Sequence, residues 1–188
     1  LSFIKIIYTN QGTPQDYFDY AANQGVSESV TAQDSAIYEN AMRIYNSDNF
    51  EGASKELAKY IQRFGDDGYF IIPANFYKAE CDFYTDKEDQ ALTHYSYIVN
   101  QGRNEFTEKS LIKLSSTYFY RKDYTKALQY YIQLEPIASS KSTFINSILG
   151  QMRSQYLLNN FDGAKEKAIQ LLPIENVPKE DLVEANIT

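Results

Sequence analysis

The sequence predicts an all-α protein built from stacked antiparallel helix hairpins. A short motif of the form polar–aromatic–x–x–Ala recurs along the chain. Around each copy the apolar residues are spaced three, four and seven apart, which places them on one face of a helix. No segment alternates polar and apolar residues over the length of a β-strand. The repetition and the helical spacing together favour helix–turn–helix units over any sheet.

The recurring motif marks the bend and the second helix of each hairpin. Its four copies span residues 49–53, 87–91, 123–127 and 160–164. Each copy ends in an alanine, because a small side chain lets two helices approach closely. These alanines are Ala53, Ala91, Ala127 and Ala164, at steps of 38, 36 and 37 residues. Twelve positions before the first two of them, Ala41 and Ala79 are the matching small residues of the first helix. In the second copy, Glu88 replaces the aromatic residue.

Residues 1–33 precede the repeats and are expected to form a degenerate helical hairpin followed by a linker. The linker, residues 23–33, is polar and contains Gly25. Thr31 is expected to cap the helix that follows, because its side chain can accept a backbone N–H of the first turn. The sequence also predicts helix ends near Gly65, Gly102, Pro136 and Pro173.

These repeats resemble the tetratricopeptide (TPR) family, whose period is about 34 residues. The match covers about residues 34–173, and the surplus length is expected in the connections between hairpins. Alignment to the family pattern gives an array over residues 34–176 with four hairpins, at 34–67, 72–105, 108–141 and 145–176. Residues 177–188 are expected to start a further, truncated helix. The resemblance implies an α-α superhelix, a TPR solenoid. The Tyr-rich helices are also similar to those of bacterial cell-envelope TPR proteins, which favours a periplasmic or envelope location and leaves the cytoplasm open.

Composition argues against several classes of function. The chain has 188 residues, a formal net charge of −7 and no long basic run, which argues against nucleic acid and against an anionic membrane surface. No apolar run approaches the roughly 20 residues of a membrane span. With a single cysteine, an intrachain disulfide is impossible. The chain opens and stops inside helix-like patterns, so we expect it to be a fragment of a longer protein.

The resemblance also implies where a partner would bind. In the family, the first helix of each hairpin lines the concave side, which here gives an aromatic groove with few charges. The residues of this groove are Tyr38, Met42, Tyr45, Phe76, Phe83, Tyr84, Ile112, Phe119, Tyr120, Arg153 and Tyr156. Any one aromatic residue at these positions is more often a packing residue, but the set is too large for all of them to be buried. Tyr38, Met42 and Phe76 occupy positions of the family's carboxylate clamp, so a clamped peptide C-terminus is not expected.

The sequence contains no assembled catalytic or metal-binding motif. His94, the lone histidine, has Tyr97 and Gln90 as its only candidate partners at helical spacing and is expected to be structural or exposed. Cys81 lies beside two carboxylates, which would raise its pKa, so a buried packing cysteine is expected. An acidic cluster follows it and lacks the spacing of a calcium loop, so it is expected to be a solvated face. The cluster comprises Asp82, Asp86, Glu88 and Asp89. No cofactor and no metal are expected.

Three functional hypotheses follow. The first is a non-enzymatic scaffold whose concave groove binds a segment of another protein of unknown identity. The alternative is a structural spacer or self-association segment of a longer TPR solenoid. A third hypothesis, a helical enzyme domain, would need His94 or Glu80 to act in catalysis, and the residues that would assist them are missing. We therefore expect no enzyme activity, no nucleic-acid partner and no membrane insertion of this fragment.

Overall fold

The computed structural model describes residues 28–174, together with residues 177, 179 and 181. These residues form eight α-helices, numbered here in chain order, and two short 3-10 helices. The helices are α1 (Glu28–Tyr45), α2 (Phe50–Phe64), α3 (Ile71–Tyr84), α4 (Glu88–Asn100), α5 (Thr107–Tyr120), α6 (Tyr124–Leu134), α7 (Lys141–Leu157) and α8 (Phe161–Leu171). The 3-10 helices, Gly65–Asp67 and Glu135–Ile137, directly follow α2 and α6. The prediction of an all-α fold with paired helices is therefore confirmed for the described residues.

The start of the first helix differs from the sequence prediction. Helix α1 begins at Glu28, so the second half of the predicted linker is helical and Thr31 lies inside the helix instead of capping it. The segment is polar but contains no proline, and its Ser, Thr and Gln residues cost a helix only tenths of a kcal/mol each. The predicted N-terminal hairpin and the further helix over residues 177–188 lie outside the described residues, apart from residues 177, 179 and 181.

Each hairpin turns through the same backbone conformation. The residue before the motif has a positive φ, namely Asp48 (58°), Asp86 (59°), Lys122 (62°) and Asn159 (61°). The next residue then caps the second helix in three of the four turns. The side chains of Asn49, Asp123 and Asn160 accept the backbone N–H of Gly52, Lys126 and Gly163, at 2.9, 3.1 and 3.2 Å. The polar position of the motif is thus an N-cap, which satisfies a backbone donor that the helix leaves unpaired.

The first of two units covers Leu1–Thr107, and its described helices α1–α4 pack in sequence. The Tyr60 hydroxyl of α2 donates to Asp34 near the start of α1, while Tyr45 near the end of α1 contacts Phe50 at the start of α2, with ring centroids 5.6 Å apart. These contacts make the pair antiparallel. The small residue Ala53 lies in the core between these helices, which is why they approach closely.

The second unit covers Glu108–Thr188, and α6, α7 and α8 also pack in sequence. The rings of Tyr118 and Tyr130 stack with centroids 5.6 Å apart and join α5 to α6. Apolar side chains of α7 and α8 form the core of this unit, with Ile148, Met152 and Leu171 almost fully buried.

Small side chains fill the crossings between helices, as the repeat requires. The alanines of the motif and of the first helices are fully buried: Ala41, Ala53, Ala79, Ala91, Ala127 and Ala164.

Within the described ranges, no helix has both the length and the apolar character that a membrane crossing requires.

Candidate partner-binding groove

A groove lies on the second unit and is lined by helices α5, α6 and α7. Its cavity volume is about 290 Å³. The lining residues are Ile112, Ser115, Ser116, Phe119, Tyr120, Tyr131, Leu134, Thr143, Asn146, Leu149, Gly150 and Arg153. Helices α5 and α7 form the two walls of the groove. Tyr131 and Leu134 of α6 lie between these walls.

A close contact between α6 and α7 shapes the groove. Gly150 of α7 is buried, and a Cβ at this position would overlap the ring of Tyr131. The missing side chain therefore lets α7 lie directly on the tyrosine ring, although glycine costs a helix interior about 1 kcal/mol relative to alanine. Burial raises the pKa of the Tyr131 hydroxyl, partly opposed by a hydrogen bond with Ser115 and by the charge of Arg153. Tyr131 is therefore neutral at physiological pH.

The wall formed by α5 exposes apolar side chains. Tyr120 is 84% exposed and Ile112 is 38% exposed. Phe119 lies between them in the sequence, is half-buried, and packs edge-on against Tyr124 with ring centroids 5.4 Å apart. An apolar surface of this kind gains free energy when a partner removes it from water.

The wall formed by α7 adds polar groups to this surface. Asn146 is exposed and presents an amide that can both donate and accept hydrogen bonds. Arg153 lies two turns further along α7, and its guanidinium donates to Asp181 at 3.1 Å. The ion pair orients the arginine at the groove, so the cation is held in place instead of sampling many rotamers.

Four of the eleven sequence-predicted groove residues line this cavity. They are Ile112, Phe119, Tyr120 and Arg153. Tyr156, the remaining predicted residue of the second unit, is outside the cavity lining and packs edge-on against Phe161, with ring centroids 5.4 Å apart. Both of these rings are about half exposed.

The predicted groove residues of the first unit mainly contact other aromatic rings. Phe76 is buried and stacks on Phe106 at 4.6 Å between centroids, so it is a packing residue and not part of an open surface. Tyr38 is half-buried and stacks on Phe70 at 4.4 Å. The other predicted residues remain at least partly accessible. Met42, Tyr45 and Phe83 are half-buried, and Tyr84 is exposed.

Sequence reasoning missed the polar and glycine residues of the α7 wall. Asn146 precedes Leu149 by three positions and Arg153 by seven, so helical spacing alone could have placed it on the same face. Gly150 had no such signal, since its role depends on Tyr131, which is 19 positions away in the sequence.

The prediction of a solvated acidic face is wrong for Asp82, which belongs to a buried polar cluster in the first unit, whereas Asp86 and Asp89 are exposed. Asp82 is fully buried, where its carboxylate pairs with the Lys78 ammonium at 2.5 Å and accepts a hydrogen bond from Ser54 at 2.8 Å. A carboxylate at this depth requires such partners, because an unpaired buried charge is very costly. The ion pair between Lys78 and Asp82 was predictable from the sequence, since the two residues are four positions apart on one helix.

His94 joins this cluster from α4. Its Nδ1 lies 2.7 Å from Asn75 Oδ1, and the Asn75 amide nitrogen donates to the Ile71 carbonyl at 2.8 Å. The amide oxygen therefore faces the ring, so Nδ1 carries the proton and donates it. Burial, together with the positive charge of Lys78, lowers the pKa of His94 to about 4, with Asp82 opposing. The imidazole is a structural hydrogen-bond donor at neutral pH.

Cys81 is buried next to this cluster. Burial and the Asp82 carboxylate raise the pKa of its thiol to about 12, so the nucleophilic thiolate is absent near neutral pH. Within the described ranges, no group of three or more His, Cys, Asp or Glu side chains is arranged to hold a metal ion.

Comparisons with protein families and with curated proteins identify no relative. No protein-family model matches the chain, and no curated protein matches it either. The groove is therefore interpreted from its own geometry and chemistry.

Proposed function

We propose that this chain is a non-enzymatic interaction module of the TPR type. The groove between α5 and α7 binds an apolar segment of another protein. The segment lies between α5 and α7 and places its side chains over Tyr131 and Leu134. This mode of binding uses the general chemistry of a peptide in a helical groove.

The exposed apolar wall of the groove is the observation that carries the proposal. Tyr120 and Ile112 expose 84% and 38% of their surface beside a cavity of about 290 Å³. That volume is near the lower limit of about 300 Å³ for small-molecule sites, and it suits one or two large side chains of a peptide. Tyrosine is also enriched at the centres of protein interfaces, where it contributes apolar area and a hydrogen-bonding group.

The assignment to the TPR type is supported by features that recur in every hairpin. Each turn has a residue of positive φ immediately before the motif, and each motif ends in a buried alanine. The same resemblance favours a bacterial cell-envelope protein, whose groove would meet its partner there.

A peptide selection tests the proposal. Random peptides displayed on phage are selected on the native chain and then tested on the double variant Ile112→Ser/Tyr120→Ser. Both side chains are exposed, so the substitutions should leave the fold intact, which circular dichroism checks. We expect peptides with large apolar side chains to be enriched on the native chain and to lose binding to the variant.

A matched variant controls for nonspecific binding of peptides to exposed apolar side chains. Ile132 and Ile169 are 52% and 57% exposed but lie outside the groove lining. The variant Ile132→Ser/Ile169→Ser should retain every selected peptide. If it loses them as the groove variant does, or if selection enriches nothing, the groove is not a binding site for peptides.

Self-association is a second candidate function, favoured by apolar side chains along α8 and at its C-cap. Phe161, Ile169 and Leu172 are 53%, 57% and 45% exposed, and their spacing puts them within one side of the helix. A second copy of the chain could cover this surface. Light scattering across a concentration series tests this: a stable dimer that Ile169→Ser dissociates would support it, and a monomer at all concentrations would exclude it.

A further inference from the structure

Helices α1 and α3 of the first unit present a surface of tyrosine rings. Tyr45 and Tyr77 pack edge-on with ring centroids 5.0 Å apart, which joins the two helices. Tyr84, about two turns beyond Tyr77 on α3, is 58% exposed and stacks on Phe50 at 4.6 Å between centroids. Tyr38 is fixed on α1 by its stack on Phe70. The rings are therefore held in place while part of their surface stays accessible.

Two carboxylates lie among these rings. Glu80 of α3 accepts a hydrogen bond from the Tyr95 hydroxyl. Glu105 is exposed and precedes Phe106, whose ring is 6.1 Å from that of Tyr77. Burial raises the pKa of Tyr77, and the charges of Glu105 and Glu80 add to the rise, so one phenol lies within the field of both carboxylates.

The cations of the same two helices are engaged elsewhere. Lys78 is buried in its pair with Asp82, and Arg43 donates to Asn40 at 2.9 Å. The imbalance extends through the unit: residues 28–107 carry 14 Asp and Glu against 7 Lys and Arg, whereas residues 108–188 carry 9 against 10. The negative charge of the chain is thus concentrated in the part that contains the tyrosine surface.

We propose that this tyrosine–carboxylate surface is a docking site for a cationic segment of a partner protein, with arginine or lysine side chains lying on the rings. The surface comprises Tyr38, Tyr45, Tyr77, Tyr84, Glu80 and Glu105. Charge complementarity selects this occupant, because ring faces and carboxylates both attract cations and disfavour acidic segments. The inference rests on the proposed function, since it names the chemistry of a partner segment for the first unit.

Arginine fits this surface better than lysine. Its guanidinium is planar, so it can stack on a tyrosine ring while its N–H groups reach a carboxylate, and it is less strongly hydrated than an ammonium group. The fixed rings also reduce the entropy lost on binding, because the side chains are already ordered.

Fluorescence anisotropy with two synthetic peptides tests the inference. The first is a short fluorescein-labelled peptide that carries arginines between leucines, and its twin has citrulline in place of every arginine. The citrulline side chain has nearly the shape of the arginine side chain but carries no charge. We expect the arginine peptide to bind the native chain about tenfold more tightly than its twin.

Variants of equal net charge separate this surface from general attraction to an acidic protein. Glu80→Gln/Glu105→Gln should weaken binding of the arginine peptide about tenfold. Asp67→Asn/Asp89→Asn removes the same charge at exposed positions outside α1 and α3, and should change the affinity less than about twofold. Equal affinity for both peptides, or equal loss in both variants, would overturn the inference. Loss confined to the Glu80/Glu105 variant would support it.

The groove of the second unit provides an independent reference. The variant Ile112→Ser/Tyr120→Ser should bind the arginine peptide as the native chain does. If the arginine peptide fails to bind while phage-selected peptides still need Ile112 and Tyr120, the cationic site is wrong and the proposed function stands. If the arginine peptide binds through Glu80 and Glu105 and no groove peptide exists, the groove proposal is wrong instead.

Discussion

Protonation of His94 should destabilise the folded chain in mildly acidic solution. In the folded state burial of the ring, together with the positive charge of Lys78, lowers its pKa to about 4. In the unfolded chain the ring has its ordinary pKa of about 6.5. The unfolded state therefore binds a proton first as the pH falls, and stability decreases from about pH 6.5 down to about pH 4.

The size of the effect follows from the two pKa values. At pH 7.5 neither state is protonated at His94, and the linkage contributes nothing. At pH 5 the unfolded ring is almost fully protonated while the folded ring is mostly neutral, which removes about 2 kcal/mol from the free energy of unfolding. The complete loss, reached below about pH 4, is on the order of 3 kcal/mol.

Two measurements check this prediction. The chain has one histidine, so its imidazole proton signal in an NMR titration is unambiguous, and it should titrate with a midpoint near pH 4. Urea unfolding at pH 7.5 and pH 5 should show the loss of about 2 kcal/mol. The variant His94→Gln should lose most of this difference between the two pH values. A midpoint at pH 6 or above would refute the burial and charge environment described for the ring.

Two further predictions concern packing and the buried ion pair. Ala127→Leu should lower the free energy of unfolding by about 1–3 kcal/mol, because it overpacks a fully buried helix contact. The control Gln129→Leu, on the exposed side of α6, should not lower it. An unchanged melting temperature for Ala127→Leu would contradict the hairpin packing. Asp82→Asn should lower the free energy of unfolding in urea by about 3–5 kcal/mol, because it leaves Lys78 charged and buried. Glu56→Gln, at the more exposed ion pair with Lys59, should lower it by less than about 1 kcal/mol. Equal losses would disprove the burial of the Lys78–Asp82 pair.

The helices and turns were largely predictable because their signals are local. Asn49, Asp123 and Asn160 are N-capping residue types placed before an apolar stripe, and the structure uses all three as caps. The start of α1 was not predictable in this way. Its first turns contain polar residues of middling helix propensity, so no local signal separated a helix from the expected linker.

The groove was predictable in part, for a different reason. Exposed apolar residues such as Ile112 and Tyr120 follow the helical spacing, so sequence could assign them to one face. The contact of Gly150 with Tyr131 and the burial of Asp82 depend on which helices meet in three dimensions. Asp82 is paired by Ser54 from a different helix, 28 positions away, and no local pattern encodes that contact.

Mapping where a selected peptide binds tests the central claim most directly. A phage-selected apolar peptide is titrated into the isotope-labelled chain, and amide chemical shifts are followed by NMR. We expect shifts concentrated on α5 and α7 around Ile112, Tyr120 and Asn146. The variant Ile112→Ser/Tyr120→Ser should lose about 2 kcal/mol of binding free energy, or roughly 30-fold in affinity. Shifts centred on Ile132 and Ile169, or an affinity unchanged by the groove variant, would contradict it.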